Sequence, residues 1–309
     1  MPLSTAPISP FAPLPLEALP PLPPLQLAVV GHVEVVTFLE VEHLPRPGEI
    51  LSCPSALELP AGGGAVVAVQ LARLLGRPVP FFTALGRDAV GEQAAAALTA
   101  LGLDLQVAWR QAPTRRGLTF VDRSGERTIT VIGERLSPEA ADPLPWESLA
   151  GLDGVFVTAA DVAALRQARA ARLLAATPRV RLPVLQQAGV RLDALIGSGL
   201  DPAEQVPPGA LDPAPTLRIA TAGAAGGEAW PFGAFLAPPR QRPVLDSYGA
   251  GDSFAAGVSA GLAAGWEAAL AISLGCHCGS ACLDGRGPYA GQLHAGQLRG
   301  GSDAVTAPD

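Results

Sequence analysis

The chain has 309 residues, 49% of them hydrophobic, enough for a sizeable core as one large domain or two smaller ones. Charged residues make up only 16% and the net charge is −7, which argues against the basic stripe of a nucleic-acid binder. No apolar run approaches the roughly 18–20 residues of a membrane span, so neither nucleic acid nor membrane is an expected partner.

Residues 1–26 are dominated by proline, leucine and alanine. Proline removes a backbone donor and fixes φ, so a disordered or polyproline-like tail is expected there. The stretch lacks the basic start of a secretory signal, and a reducing cytosol is the expected compartment. A domain over 27–298 follows, with a second loose tail over 299–309.

Strand and helix patterns alternate through that domain. "LQLAVVGHVEVV" opens as a buried strand with a glycine exit. "AVVAVQLARLLG" has helical spacing and stops at Gly76. "PVPFFTALG" predicts a strand, and "DAVGEQAAAALTALG" a helix capped by Asp88. "LDGVFVTAA" predicts a strand and "DVAALRQARAARLLAAT" a helix. "VRLDALIGSG" and "TLRIATAG" predict strands, and "GDSFAAGVSAGLAAG" and "WEAALAISLGCHCGSACL" helices. Such alternation implies a central, mostly parallel sheet with helices on both faces, an α/β fold. Two stretches break the rhythm with short strands and turns, at about 37–60 and 114–132. "DRSGER" between alternating apolar runs is a hairpin signal. These strands are expected to pair outside the main sheet as a small β-lid that excludes water from a site at the strand ends.

Three glycine-rich turns carry the chemistry. In "DSYGAGDSFAAG", Gly249, Ala250 and Gly251 feed a helix. The first amides of a helix point together and its dipole adds positive charge, which makes an anion site. Asp252 beside that site is a general base for a hydroxyl nucleophile, or simply a helix cap. "TAGAAGG" places Thr221, Gly223 and Gly226 at the end of the preceding apolar strand, and two such turns at neighbouring strand ends suit a polyphosphate. "AGGG" opens a helix with Gly62, Gly63 and Gly64, either a flexible connector or a close backbone approach to a small hydroxylated substrate. The cluster "CHCGSAC" lacks paired C-x-x-C spacing, so Cys276, Cys278 and Cys282 read as small apolar helix residues rather than zinc ligands.

In this order the motifs resemble the ribokinase-like (PfkB) carbohydrate kinases. "DSYGAGDSF" is similar to the second family signature, with Ser247 in place of threonine, and "AGGGAVVAVQLARLLG" with "FFTALGRDAVG" to the first. "HLPRPGE" and "TAGAAG" resemble two further family turns, and the likeness spans about 27–290. The resemblance implies a ribokinase-like fold and transfer of the ATP γ-phosphate, with Mg²⁺, to a hydroxyl of a sugar, sugar phosphate or nucleoside. It implies Asp252 as base and the 249–251 backbone as anion hole. Thr221, Gly223 and Gly226 would line the nucleotide site, with Ser198 and Asp201 in place of the family's Asn-x-x-Glu. Asp246 and Ser247 would lie near a monovalent cation such as K⁺. On the acceptor side, Gly62, Gly63 and Gly64 would meet the substrate. Val36 and Val66 stand where the family has an aspartate and an asparagine; for the aspartate, either His32 or Glu34 substitutes or the substrate differs. A homodimer through exposed lid strands is a further expectation. The alternative to an active kinase is a nucleotide- or metabolite-binding protein on the same fold that is catalytically weak or inactive. A dinucleotide oxidoreductase fails on order, because its glycine loop should follow the first strand. Arg115 and Arg116 read either as contacts to a phosphorylated substrate or as a solvated strand edge.

Overall fold

The computed structural model describes residues 10–299. The parts of the expected tails at 1–9 and 300–309 lie outside the described residues.

The strands β1 (Leu27–Val30), β4 (Val79–Gly86), β5 (Leu103–Arg110), β8 (Gly154–Val157), β9 (Leu174–Ala176), β10 (Ala194–Ser198), β11 (Leu217–Thr221), β12 (Gly227–Trp230) and β13 (Gly233–Phe235) form one sheet. Its order is β13-β12-β11-β10-β9-β8-β1-β4-β5, nine strands in all. Every pair from β11 to β5 is parallel, and β12 and β13 close one edge antiparallel. The interior strands β1, β8 and β9 are buried at every residue, as expected where helices cover both faces. Alternation along β1 divides the core: Leu27 and Val29 belong to one apolar cluster, Ala28 and Val30 to the other. The first cluster holds α1 (Gly63–Leu75), α2 (Ala89–Ala100), α5 (Ala250–Ala263) and α6 (Ala268–Cys282). The second holds α3 (Val162–Ala168) and α4 (Leu182–Ala188).

A second sheet, ordered β3-β2-β6-β7, forms the lid from β2 (Glu34–Glu40), β3 (Ala56–Ala61), β6 (Arg116–Val121) and β7 (Arg127–Ile132). Its β2–β6 pair is parallel and the others antiparallel, and "DRSGER" makes the β6–β7 turn as expected. Phe38 packs edge-on against Tyr248 at 4.9 Å, seating the lid on the entry to α5. Both connections to the main domain are short. β1 passes through Gly31–Val33 into β2, and β3 runs through Gly62 into α1.

Two local expectations are corrected. Residues 10–26 pack on the body: Leu19 and Leu25 are buried, and Phe11 bridges to Phe235. Prolines deny the stretch regular structure, but its interspersed leucines still fill the core. The helix expected over 161–177 ends at Ala168, because "LLAA" is a short fully buried strand, which periodicity alone does not separate from a helix. The valine at position 36 is fully buried within the lid sheet, and Glu34 instead opens that strand toward the site. The segments forming β5, α4, β12 and β13 carried no expectation. Among the described residues, no helix is long and apolar enough to cross a membrane.

Candidate active site

Gly31 and Thr158, just past β1 and β8, meet the glycines that open α1, and Gly63 there faces Asp252 in the first turn of α5. Gly249 takes φ 83°, a conformation that favours glycine, and its Cβ position lies 3.0 Å from Val66 Cγ1 and Pro288 Cβ. Gly251 faces open space, so the first amides of α5 are accessible to an anion. Val66, where the family has an asparagine, packs under this turn and gives it an apolar support.

Asp252 projects from this first turn toward the N-terminus of α1. A Cβ on Gly63 would stand 2.9 Å from Asp252 Oδ1, so the glycine keeps that oxygen uncovered. Burial raises the carboxyl to about 7, aided by Glu204 and Glu34, while Arg127 and Arg179 act in the opposite direction. A carboxylate with that affinity is poised to exchange a proton near neutrality.

Glu34, Tyr248, His32 and Gly62 form the wall opposite. Tyr248 Oη accepts from Gly62 N at 3.2 Å and donates to Glu34 Oε1 at 3.2 Å. Arg115 Nε lies 3.0 Å from Glu34 Oε2 as an ion pair, though the N–H is not aimed to make a hydrogen bond. Arg116, its neighbour, points outward to an exposed pair with Glu58. The His32 ring lies 3.2 Å from the Cβ position of Gly62. Burial, and then Arg135, Arg115 and Arg179, push His32 well below the ordinary imidazole range, so it stays neutral. Gly64, the last of the three glycines, packs against Gly31 and the His32 carbonyl and is therefore a close helix–strand contact.

The glycine turn after β11 lies at the other side of α5. Thr221 Oγ1 reaches Gly197 O at 3.4 Å, and Gly223 takes φ 58° with Leu200 Cδ1 3.9 Å from its Cβ position. Gly226 takes φ 89°, and a Cβ there would stand 2.0 Å from Phe235 O, so this glycine is required by the β12–β13 hairpin. Between the two regions, Ser198 Oγ accepts from the amides of Leu200 and Asp201, and Asp201 Oδ1 caps the following turn through Ala203 N. Asp201 also pairs with Arg179. Arg179 Nε pairs with Glu204 Oε1 at 2.6 Å, and Glu204 Oε2 accepts from Ser198 N at 2.8 Å. Glu204 is thus the carboxylate that Asp252 senses. Neither it nor Arg179 stood out in the sequence, because "DPAE" and "TPRV" lie in unremarkable loops that only folding brings together.

Asp246 and Ser247 do not fit the cation expected beside them. Both Asp246 oxygens already accept backbone amides, from Tyr248 at 2.8 Å and Gly287 at 2.9 Å. Arg127 reaches from the lid to Ser247, at 2.9 Å to Oγ and 3.2 Å to the carbonyl. Asp246 thus serves as a pin for the loop. His277 donates to Leu14 O at 2.7 Å, fastening the N-terminal segment. Cys276, Cys278 and Cys282 are buried, and burial pushes the Cys276 and Cys282 thiols up to about 12.

Comparisons with known proteins agree with this layout. A curated ribokinase from Arabidopsis thaliana is 32% identical over 111 residues, 35% of this chain and 29% of that protein, so the match spans under a third of the relative. The ribokinase of Thermotoga maritima superposes with a TM-score of 0.69 at 18% identity, covering 89% of this chain and 98% of that one. The Arabidopsis thaliana ribokinase complexed with ribose and ATP gives a TM-score of 0.64 at 20% identity, covering 90% and 99%. At these identities the likeness is one of fold, and the fold is ribokinase-like. A model described as pfkB family carbohydrate kinase matches residues 25–199 and 219–295, from the approach to β1 to beyond α6. The match takes in all three glycine turns and the four lid strands, and the chain belongs to the pfkB family of carbohydrate kinases.

Proposed function

We propose that the protein transfers the γ-phosphoryl group of ATP to a hydroxyl of a sugar, sugar phosphate or nucleoside. The observation that carries this reading is the contact between Asp252, raised to about 7, and Gly63, at the meeting of two helix N-termini. An acceptor hydroxyl placed over Gly63 lies within reach of the Asp252 carboxylate, which takes its proton as the oxygen attacks phosphorus. The bond to ADP breaks, and the amides of Gly249, Ala250 and Gly251 hold the transferring group. Phosphoryl transfer depends mainly on such positioning and charge stabilisation. Thr221, Gly223 and Gly226 line the nucleotide end. Mg²⁺ bound with the nucleotide would neutralise phosphate charge, while the Asp201 and Glu204 oxygens nearby are already taken by Arg179 and by the amides of Ala203 and Ser198. Arg179 holds both carboxylates in place.

The lid's outer strand supports a homodimer through β7, because Ile129, Val131 and Ile132 are exposed apolar residues on it. Three buried free thiols support a reducing cytosol as the setting.

Asp252→Asn tests the reading. Transfer is expected to fall at least about 10²-fold while ATP binding holds. Equal turnover would remove Asp252 as base. The apolar Val36 and Val66 favour a second reading, a binder without efficient catalysis. Tight binding of ATP with no consumption across sugars, sugar phosphates and nucleosides would select it.

A further inference from the structure

We propose that the acceptor carries a fixed negative charge, a phosphate ester or a carboxylate, and that Arg135, flanked by Arg115 and Arg179, receives it. This rests on the phosphotransferase reading above and narrows its substrate class.

Arg135 leaves the end of the lid and reaches the turn after β9, where Nη1 donates to Arg179 O at 2.7 Å. Its Nε is buried without an acceptor. Among the described residues no carboxylate lies within 4.0 Å of its guanidinium, whereas Arg115 is paired with Glu34 and Arg179 with Asp201 and Glu204. Arg135 alone of these three lacks a counter-ion, and it sits in the field of three other arginines. Burial first, then Arg115, Arg179 and Arg181, lower it to about 10, with Glu34 partly opposing. Holding a half-buried guanidinium there without an anion is unfavourable, so an incoming anion gains what the protein does not supply.

The cluster borders the acceptor wall. Arg115 pairs with Glu34, which accepts from Tyr248 beside Gly62, and the Cβ position of Gly133, two residues before Arg135, lies 3.9 Å from Arg115 Cα. Arg115 and Arg135 come from the lid and its exit, and Arg179 from the turn after β9. The nucleotide turn at Thr221–Gly226 follows β11, two strands away from β9. Strain marks the same corner. Arg181 is the one described non-glycine residue with positive φ, 83°, directly after the Arg179 turn. A guanidinium's planar fork matches carboxylate and phosphate oxygens in pairs, which a neutral sugar hydroxyl does not exploit. Asp252 and the anion hole act on the acceptor's hydroxyl end, and the arginines hold its other end.

The test compares wild type, Arg135→Gln and Arg135→Lys on ATP consumption. The probes are ribose with ribose 5-phosphate and ribonate, and fructose with fructose 6-phosphate and gluconate. Turnover of an anionic member, with KM raised at least about 30-fold by Arg135→Gln, kcat little changed and partial recovery in Arg135→Lys, sustains the proposal. Preference for the phosphate esters or for the acids tells which anion is meant. Turnover of the neutral sugars over their anionic counterparts, or an unchanged KM in Arg135→Gln, overturns it and leaves the kinase reading intact. No turnover with any probe counts against the kinase reading, and calorimetry without nucleotide then decides the anion site. Binding of ribose 5-phosphate, ribonate, fructose 6-phosphate or gluconate that Arg135→Gln abolishes sustains it, and no binding of any of them by wild type overturns it.

Discussion

Gly63 and Asp252 meet across the N-termini of α1 and α5, with only 2.9 Å between Asp252 Oδ1 and the point where a Gly63 Cβ would be. The two residues are far apart in sequence and belong to different signatures of the family. In the proposed reading their contact joins the acceptor cradle to the catalytic carboxylate, and it leaves little room for a side chain. That relationship, more than either motif alone, carries the phosphotransferase proposal.

Gly63→Ala places a methyl group against that carboxylate. The acceptor must then shift by a fraction of an ångström to about 1 Å, and kcat/KM for the acceptor is expected to fall about 10²-fold. ATP affinity, set beyond α5, is expected to stay. Steady-state kinetics with calorimetric ATP titration checks both halves, and unchanged acceptor kinetics would take Gly63 out of the cradle.

Asp252 sets a pH dependence. Its folded-state value of about 7 lies above the ordinary carboxylate value, so the folded protein binds this proton more tightly than the unfolded chain. The resulting stabilisation is fully present below about 4 and is lost as pH rises toward 7. Activity runs the opposite way, because the base works deprotonated. The profile of kcat/KM should rise to a plateau through an apparent value near 7, and the rising limb should vanish in the residual activity of Asp252→Asn. A profile already flat from pH 5 would contradict the assignment.

Tyr248→Phe removes the hydroxyl shared by Gly62 N and Glu34 Oε1. Burial keeps the phenol protonated far above neutrality, so its hydrogen bond to Glu34 is available throughout the working range. Leaving the Gly62 amide without its acceptor is expected to lower stability by about 1–3 kcal/mol. Acceptor KM should rise with it, since Glu34 and Gly62 both border the cradle. Denaturant titration and kinetics together separate the two effects.

Removing residues 1–25 deletes the buried Leu19 and Leu25, each contributing about 1.5–3 kcal/mol of burial. Removing only residues 1–9 leaves those contacts in place. The longer truncation is expected to lower the unfolding free energy by about 3 kcal/mol or more relative to the shorter one. Equal stability of both would mean that the packing of 10–25 is not part of the fold's cohesion.

Much of this architecture was legible in the chain. Gly76 and Asp88 end and cap their helices where the spacing predicts, because caps are local chemistry. The "DRSGER" hairpin follows for the same reason. The misread segments are those in which tertiary burial overrides local pattern. "LLAA" becomes β9 between two neighbouring strands, and the proline-rich approach to β1 finds a groove for its leucines. Asp246 was legible as a special acid but not as a loop pin, since its amide partners come from Tyr248 and Gly287, one nearby and one beyond both α5 and α6.

Local chemistry fixes the glycine turn at Gly249–Asp252 and the order of the three glycine turns, because φ preference and helix-end amides belong to a few consecutive residues. The strand–helix alternation likewise implies a parallel sheet with its strand ends on one side. Which charged groups face one another there follows only from the completed fold. Glu204 and Glu34 act on Asp252, and Arg127 covers Ser247. Among the described residues Arg135 has no carboxylate partner in the field of Arg115 and Arg179. These residues come from loops and lid strands with no local signature, and Coulomb energy depends on separations that only the completed fold defines.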